Sequence, residues 1–273
     1  MSRSAHFAVL IIGWALLAPN AAFADISISA AGSTALQPLV QAGAEAYQAQ
    51  HSDVKISVTG GGSRTGLSLV NSKSVDIGDS DILAAKDQTD LVDHRVAAVG
   101  FAIVAHTETG VKNLSRKQIQ DIFSGKVKNW KDVGGKDESI TVINRPASSG
   151  TRAVFIKTLM DKAELSKDTL VEDATGTVVQ KITQTPGAVS YAAFSGTHGK
   201  SGIVEISIDG NAATEENVES GKYPFWSYEH MYTNGPPNKD VSRFLAFLQS
   251  NRMLVQKLGY ILTRDIKKTE TDR

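Results

Sequence analysis

The sequence predicts a globular α/β fold arranged in two lobes. Strand-like and helix-like segments alternate along the chain, and some of the strand-like runs are almost entirely apolar. Residues 97–105 (AAVGFAIVA) are one such run, typical of a strand in a parallel sheet covered by helices on both faces. The 273 residues are enough for two lobes. Because no single linker divides the chain, we expect it to cross between the lobes more than once.

The first part of the chain contains four predicted strands and one clear helix. Residues 25–30 (DISISA) alternate apolar and polar side chains, as a half-buried strand does. A helix should follow and continue to Tyr47, because Ser33 or Thr34 is a good cap and Pro38 fits only a first helical turn. The other predicted strands of this part are 54–59, which three glycines end, 75–78 and 97–105.

The second part repeats this alternation. Ser115 and Gln118 have the spacing of a capping box for a helix that ends at Phe123. Residues 241–248 have apolar side chains at helical spacing and should pack on a core. The remaining predicted elements are strands at 139–144, 188–193 and 202–208, a helix that ends at Met160, and a helix at 177–183.

The first 24 residues have the three parts of a secretory signal peptide. Arg3 gives a basic start, residues 8–18 are apolar, and residues 22–24 (AFA) form a cleavage signal. We expect cleavage after Ala24 rather than a membrane anchor, since the apolar run is short for a hydrocarbon core of about 30 Å. The chain has no cysteine, so no lipid can be attached through one. A freely diffusing secreted protein suggests a Gram-negative periplasm.

The charge of the chain is balanced, with 29 basic and 29 acidic side chains. This balance argues against a nucleic-acid partner, which is normally met by a strongly basic face. It also means that bulk electrostatic attraction cannot capture an anion. Any anion site must therefore be local and built from directed hydrogen bonds.

Four short stretches place glycine or hydroxyl residues where a strand gives way to a helix or turn. Open backbone N–H groups at such a place attract anions, and hydroxyl side chains add donors. Arg145 precedes the last stretch and offers a planar guanidinium suited to two phosphate oxygens. Each stretch taken singly is better explained as an ordinary helix cap or turn. The four stretches are residues 32–34, 60–63, 79–81 and 148–151.

Taken in this order, and together with residues 122–130 (IFSGKVKNW), these stretches resemble the phosphate-binding proteins of the phosphate-specific transport (Pst) system. The resemblance covers nearly the whole mature chain. It implies the two-lobed periplasmic-binding-protein fold of type II, with two mixed sheets, flanking helices and a hinge. Lobe I would comprise residues 25–103 and 229–273, and lobe II residues 104–228.

The resemblance also implies the function and the site. The protein would bind inorganic phosphate between the lobes and deliver it, as a monomer without a cofactor, to the membrane permease of an ATP-driven ABC-type importer. The residues implied in phosphate binding are Ser33, Thr34, Ala35, Ser63, Asp81, Arg145, Ser149, Gly150 and Thr151.

Asp81 is the residue that would discriminate between anions. An ionised aspartate can only accept hydrogen bonds, so it suits phosphate, which keeps an O–H group near neutral pH. Sulfate has no such proton, and the buried carboxylate would repel it. The alternative for Asp81 is a helix N-cap for the segment that follows.

Two positions depart from the family pattern. The family carries an acidic residue shortly after the binding arginine, whereas Arg145 is followed by Pro146 and Ala147. The partner of Arg145 is therefore absent or comes from elsewhere. Arg152 is either a second cation of the site or a solvent-facing residue of a first helical turn.

Other functions find less support. The histidines are scattered without metal-ligand spacing, and we expect those after the leader at the surface or in loops. Ser149 lacks the surroundings of a hydrolase nucleophile, and Leu67 stands where a nucleotide-binding loop needs lysine. The aromatic segment 223–228 favours packing near an inter-lobe crossover over a sugar platform. The alternatives that stay open are a receptor for another oxyanion, a phosphate-status sensor and a secreted phosphomonoester hydrolase.

Overall fold

Ten strands form the centre of the computed structural model, which describes residues 26–267. The predicted leader and its cleavage site lie outside these residues. Strand β2 and strand β8 have the predicted bounds, and β4 is much longer than predicted. The strands are β1 (Ile26–Gly32), β2 (Val54–Thr59), β3 (Ile77–Ser80), β4 (Leu91–His106), β5 (Asn113–Leu114), β6 (Thr141–Asn144), β7 (Leu170–Val171), β8 (Ala188–Ala193), β9 (Ile203–Ile208) and β10 (Trp226–Asn234).

Nine α-helices are present between residues 26 and 267, and they flank the strands. The capping box predicted for α3 is confirmed, because Ser115 and Gln118 exchange hydrogen bonds at its first turn. The helices are α1 (Gln37–Gln48), α2 (Ser63–Asn71), α3 (Arg116–Phe123), α4 (Gly150–Phe155), α5 (Thr175–Gln184), α6 (Phe194–Thr197), α7 (Glu215–Glu219), α8 (Lys239–Ser250) and α9 (Arg252–Lys257). A π-helical turn, Ile156–Met160, extends α4. None of the helices described is both long and apolar enough to cross a membrane.

The strands follow one hydrogen-bonded path in the order β2-β1-β3-β10-β4-β8-β6-β7, with β9 also paired to β4 and β5. Strand β4 joins the two halves of this path. Its first part, up to Gly100, pairs with β10, and its last part, from Phe101, pairs with β8 and β9. One long strand thus belongs to both halves of the sheet.

The direction of the strands is mixed. Strand β1 is parallel to β2 and β3, and β6 is parallel to β7 and β8, as the apolar runs predict. Strand β10 is antiparallel to β3 and β4, and β4 is antiparallel to β8 and β9. The mixed strand direction that the resemblance implies is confirmed. The parallel neighbours that the apolar run 97–105 favours are not found around β4, because apolar content reports burial on both faces and not the direction of the neighbours.

Aromatic side chains pack where β4 passes from one half to the other. The rings of Phe101 and Phe225 lie 5.1 Å apart between centroids, and Tyr223 donates a hydrogen bond of 2.9 Å from its hydroxyl to the Phe101 carbonyl. The packing predicted for segment 223–228 is confirmed, and the assignment of this crossover to a boundary between lobes stays a prediction. A buried tyrosine hydroxyl needs such a partner.

The expectation that the histidines lie at the surface or in loops is wrong for His230. Its side chain is fully buried in β10, and its Nδ1 lies 2.8 Å from an Asp93 carboxylate oxygen. His198 is partly buried and lies 2.8 Å from Glu205 and 3.3 Å from Glu215. Carboxylate partners from other parts of the chain make this burial possible, and no local pattern reveals them.

Candidate anion-binding site

Asp81 lies at the centre of the candidate site, directly after β3, with 2% of its surface exposed. Its Oδ1 accepts a hydrogen bond from the Ser33 hydroxyl, and its Oδ2 accepts one of 2.9 Å from the Thr151 hydroxyl. The Asp81 N–H donates to the Ser63 hydroxyl over 2.9 Å. Three predicted site residues from separate parts of the chain thus converge on Asp81, two of them on its carboxylate.

The parallel pairing of β1 with β3 explains why Ser33 and Asp81 meet. Both strands end at the same edge of the sheet, where the loops after parallel strands collect. Gly32 has φ of 142°, and a Cβ there would lie 2.1 Å from the Asp79 carbonyl oxygen. Only glycine fits this close approach. The Ser33 N–H then donates to the same Asp79 oxygen over 2.9 Å, which fixes the turn.

Two further glycines let the second half of the chain approach the first. A Cβ at Gly150 would lie 2.1 Å from the Ser63 hydroxyl oxygen, and one at Gly62 would lie 2.6 Å from the Ser148 carbonyl oxygen. The Arg64 N–H donates to that same carbonyl over 3.0 Å. The first turns of α2 and α4 therefore lie against each other beside Asp81.

Arg145 follows β6 and is the buried cation of the site, with 2% of its surface exposed. Its Nη2 donates to the Thr34 hydroxyl over 3.1 Å and to the Asp173 carbonyl over 2.8 Å. Its Nε and Nη1 are buried and have no partner among the described residues. A guanidinium with two unpaired buried donors is costly to maintain without an acceptor.

Asp173 provides a partner for Arg145, which has no acidic residue directly after it in the sequence. Its backbone oxygen holds the guanidinium, and its charge adds to that of Asp81 in favouring the protonated guanidinium, although burial lowers the pKa of Arg145. The partner of Arg145 thus comes from elsewhere in the chain, as one of the two alternatives required. Asn144 completes the support, because its Oδ1 accepts from the Arg145 N–H at 2.8 Å and from the Tyr191 hydroxyl at 2.6 Å.

Open backbone donors surround the site. Ser149 is the N-cap of α4, and its hydroxyl accepts from the Arg152 N–H over 3.2 Å. The N–H groups of Gly150 and Thr151, at the start of α4, cannot have partners within the helix. Ser63 opens α2 in the same way. All nine residues predicted for the site are buried.

The turn after β1 differs in detail from the prediction. Helix α1 begins at Gln37 with Leu36 at the N-cap position, and no side chain caps it. The Ser33 hydroxyl instead accepts from the N–H groups of Ala35 and Leu36, both at 3.0 Å, in the turn before the helix. Ser33 therefore connects this turn to Asp81 instead of capping α1.

Hydrogen bonds offset part of the cost of burying Asp81. Burial raises its pKa, whereas the bonds from Ser33 and Thr151, the charge of Arg145 and the bond with Ser63 act to lower it. Residues 82–90 contain no helix, so the N-cap alternative for Asp81 is wrong. The carboxylate joins the two halves of the site.

Sequence reasoning missed two acidic residues beneath this carboxylate. Asp79, in β3, and Glu229, in β10, are fully buried, and no donor among residues 26–267 reaches their carboxyl oxygens. Burial and the nearby Asp81 raise the pKa of Asp79 to about 8. An acidic residue inside an otherwise buried strand was the available signal for both.

Arg152 is partly buried, and its Nε is shielded from solvent without a partner. It lines a cavity together with Arg64 and Ser148 at the meeting point of α2 and α4. Arg152 thus lies in the first turn of α4 at the edge of this cavity, and a role as second cation of the site stays a prediction.

Known proteins share this architecture and much of this sequence. The model of the PBP superfamily domain matches residues 18–252. The chain is 44% identical over 251 residues to the phosphate-binding protein PstS of Bacillus subtilis, covering 89% of this chain and 83% of that protein. A substrate-binding protein assigned to a phosphate ABC transporter of Clostridium perfringens, solved with bound phosphate, superimposes with a TM-score of 0.80 at 29% identity. That alignment covers 86% of this chain and 98% of the other.

A phosphate transport receptor of the ABC type from Vibrio cholerae gives a TM-score of 0.69 at 27% identity, over 86% of this chain and 99% of that one. The mixed sheet with flanking helices is thus the fold of these proteins.

Proposed function

Because this chain belongs to the PBP superfamily and, within it, to the PstS phosphate-binding proteins, we propose that it captures inorganic phosphate at the site around Asp81 and Arg145. It then hands the phosphate to an ATP-driven membrane importer. The relatives are named as binding proteins of phosphate transport, so the proposed role is binding and not hydrolysis.

The observation that carries this proposal is the buried guanidinium of Arg145, whose Nε and Nη1 have no partner among the described residues. Two adjacent donors of a planar guanidinium match two oxygens of a phosphate. The N–H groups at the start of α4 and the hydroxyls of Thr34 and Ser149 would meet the other oxygens. These donors replace the water that phosphate loses on burial.

Asp81 would select for a protonated oxyanion. Its two oxygens already accept from Ser33 and Thr151, and each oxygen has a further lone pair. A phosphate O–H can donate to that lone pair, whereas sulfate offers only an acceptor. An unprotonated anion at this place would leave two facing buried charges of the same sign.

Capture would couple to closure of the two lobes, which we assign to residues 25–103 with 229–273 and to residues 104–228. The change of β4 from one pairing partner to the other, between Gly100 and Phe101, supports this division. Asp81 would belong to the first lobe, and Thr151 and Arg145 to the second. Ligand contacts made only in the closed state would favour closure.

The remaining parts of the proposal concern location and partners. The leader predicts export with cleavage after Ala24, and the absence of cysteine predicts a periplasmic protein without a lipid anchor. The resemblance to the phosphate-binding proteins favours a monomer. The partner would be the membrane permease of the importer, which would recognise the surface formed by the closed lobes.

Titration calorimetry with phosphate tests the proposal, using the mature chain and competing anions. We expect phosphate to bind with a stoichiometry of one, arsenate to compete with it, and sulfate and molybdate not to compete. Tight sulfate binding would contradict the role given to Asp81, and no heat with any phosphate concentration would contradict the function itself.

A further inference from the structure

Three carboxyl groups occupy one face of the sheet beneath the proposed phosphate site. We call Asp79, Asp81 and Glu229 the carboxyl cluster. Asp79 lies opposite Met231 in the antiparallel pairing of β3 with β10. Side chains two residues apart in a strand share a face, so Glu229 lies on the same face of the sheet as Asp79. Glu229 is close enough to Asp81 and Asp79 for the charges of both to act on it.

The three groups differ in their donors. Asp81 accepts hydroxyl hydrogen bonds from Ser33 and Thr151, whereas the carboxyl oxygens of Asp79 and Glu229 are fully buried and receive none. A buried carboxylate without a donor or a counter-charge is strongly disfavoured, and such a group takes up a proton instead. Among residues 26–267, no group of three or more acidic, histidine or cysteine side chains is placed to hold a metal ion that could neutralise it.

We propose that Asp79 and Glu229 each hold a proton at neutral pH, so that Asp81 carries the only negative charge of the carboxyl cluster, and that phosphate capture weakens when alkaline pH removes the proton from Asp79. This inference rests on the proposed function of the site. A second negative charge beside Asp81 would repel an anion that must approach the same carboxylate.

Little positive charge lies near the carboxyl cluster to offset negative charge on its members. The charged and titratable groups that act on it are Arg145, which favours the ionised form of Asp81, and Tyr260, which follows α9. The Tyr260 hydroxyl donates to the Ala35 carbonyl and is thus occupied. From β1, α2 and α4 the groups that bond to Asp81 are uncharged hydroxyls. One cation therefore faces three carboxyl groups and also the phosphate.

The order in which the protons leave follows from the same contacts. Burial and the charge of Asp81 raise the pKa of Asp79 to about 8. Burial raises the pKa of Glu229 well above its usual value of 4.5, the charges of Asp81 and Asp79 raise it as well, and so does the hydrogen bond that a protonated Glu229 can donate to Asp81. With Asp81 already ionised, Asp79 is therefore the group that we expect to lose its proton in mildly alkaline solution.

Phosphate affinity measured by calorimetry from pH 6 to 9.5 tests the inference. The wild-type chain is compared with Asp79→Asn, Glu229→Gln and the control Asp87→Asn, which removes an exposed carboxylate. Above about pH 8, loss of one required proton should reduce wild-type affinity by about tenfold per pH unit beyond any change in phosphate itself. Asp79→Asn should remove this additional decline, and Asp87→Asn should keep it. Because phosphate ionises equally for every variant, differences between the profiles belong to the protein.

Equal pH profiles for the wild type and Asp79→Asn would overturn the inference while leaving the proposed function intact. If neither the wild type nor Asp87→Asn bound phosphate at any pH, the proposed function would fail instead. Infrared spectroscopy of the wild type decides the protonation states separately, also where the variants do not fold. We expect the carbonyl band of buried protonated carboxyl groups at pH 6 and a loss of part of that band above pH 8. Absence of the band at pH 6 would overturn the inference.

Discussion

Arg145 and the carboxyl cluster are both buried at the site, but their unpaired atoms are of opposite kinds. Arg145 has two donors without acceptors, and Asp79 and Glu229 have acceptors without donors. An arginine keeps its proton under all ordinary conditions, so its unpaired N–H groups call for an acceptor from outside the chain. A carboxyl group can instead take up a proton and become neutral. Unpaired donors thus indicate a ligand, and unpaired carboxyl oxygens indicate a bound proton.

Asp81 differs from both groups, because its polar atoms have partners within the chain. It has its own donors in Ser33 and Thr151, and the charge of Arg145 favours its ionised form. The site therefore holds one positive charge, on Arg145, and one negative charge, on Asp81, with two neutral acids beneath them. A variant of each of these groups separates its contribution.

Removal of the cation should have the largest effect. Arg145→Ala should weaken phosphate binding by about 2–5 kcal/mol, because it deletes the two free donors and leaves Asp81 without its counter-charge. Titration calorimetry measures the loss. Arg243→Ala, which removes a side chain that is 58% exposed on α8, serves as the control and should bind as the wild type does. Unchanged affinity in Arg145→Ala would mean that the donors serve no ligand.

Neutralising Asp81 should change selectivity as well as affinity. Asp81→Asn should weaken phosphate binding by about 1.5–3 kcal/mol, the range for a hydrogen bond to a charged group. It should also permit sulfate to compete, because the amide can donate to an unprotonated oxygen. Competition calorimetry with both anions measures the two effects, with the exposed Asp132→Asn as control. A variant that still excludes sulfate would show that Asp81 does not set the preference.

Much of this site could be predicted because its parts are local. The glycines and hydroxyls of each loop follow directly on a strand, and β2, β8 and the capping box of α3 agree with local patterns. The partners across the sheet could not be predicted in this way. The Asp173 carbonyl that holds Arg145 and the closeness of Glu229 to Asp81 depend on tertiary contacts between distant segments.

The direction of β10 is the clearest example of this limit. Its buried aromatic residues predict packing, and the packing is confirmed, but no local signal shows that the strand runs antiparallel between β3 and β4. That placement brings Glu229 to the carboxyl cluster. The acidic residue was visible in the sequence, and its role depended on a register that only the fold provides.

The proton on Asp79 should make the free energy of unfolding depend on pH. Folding raises the pKa of Asp79 from 3.8 to about 8. The stability linked to its proton is therefore fully present below pH 3.8 and is lost as the pH rises towards 8. Relative to Asp79→Asn, the wild type should lose about 1.4 kcal/mol of unfolding free energy for each pH unit in that interval. Urea unfolding at pH 5, 6.5 and 8 measures the slope. Parallel pH dependences for the two chains would mean that Asp79 is already ionised in the fold.

A smaller pH dependence of stability is expected from His198, whose ring donates hydrogen bonds to two acidic residues. Burial alone would lower its pKa, but the hydrogen bonds that its ring donates to the Glu205 and Glu215 carboxylates raise it to about 9. Its contribution is therefore complete below its usual pKa of 6.5 and is lost as the pH rises through 9. Since the three side chains are between 24% and 37% exposed, solvent screening limits the gain to about 0.5–1 kcal/mol.

His198→Asn should accordingly lower the free energy of unfolding at pH 6 and leave it nearly unchanged at pH 10, as measured by urea unfolding. The slope has the same sign as that at Asp79, but the cause is opposite. A neutral replacement at Asp79 removes a penalty that is felt at high pH, whereas one at His198 removes an attraction that is felt at low pH. Phosphate affinity should not change in His198→Asn, because the residue lies outside the proposed site. A loss of stability that is equal at pH 6 and pH 10 would assign His198 a packing role against Phe194, whose ring centroid is 4.5 Å away.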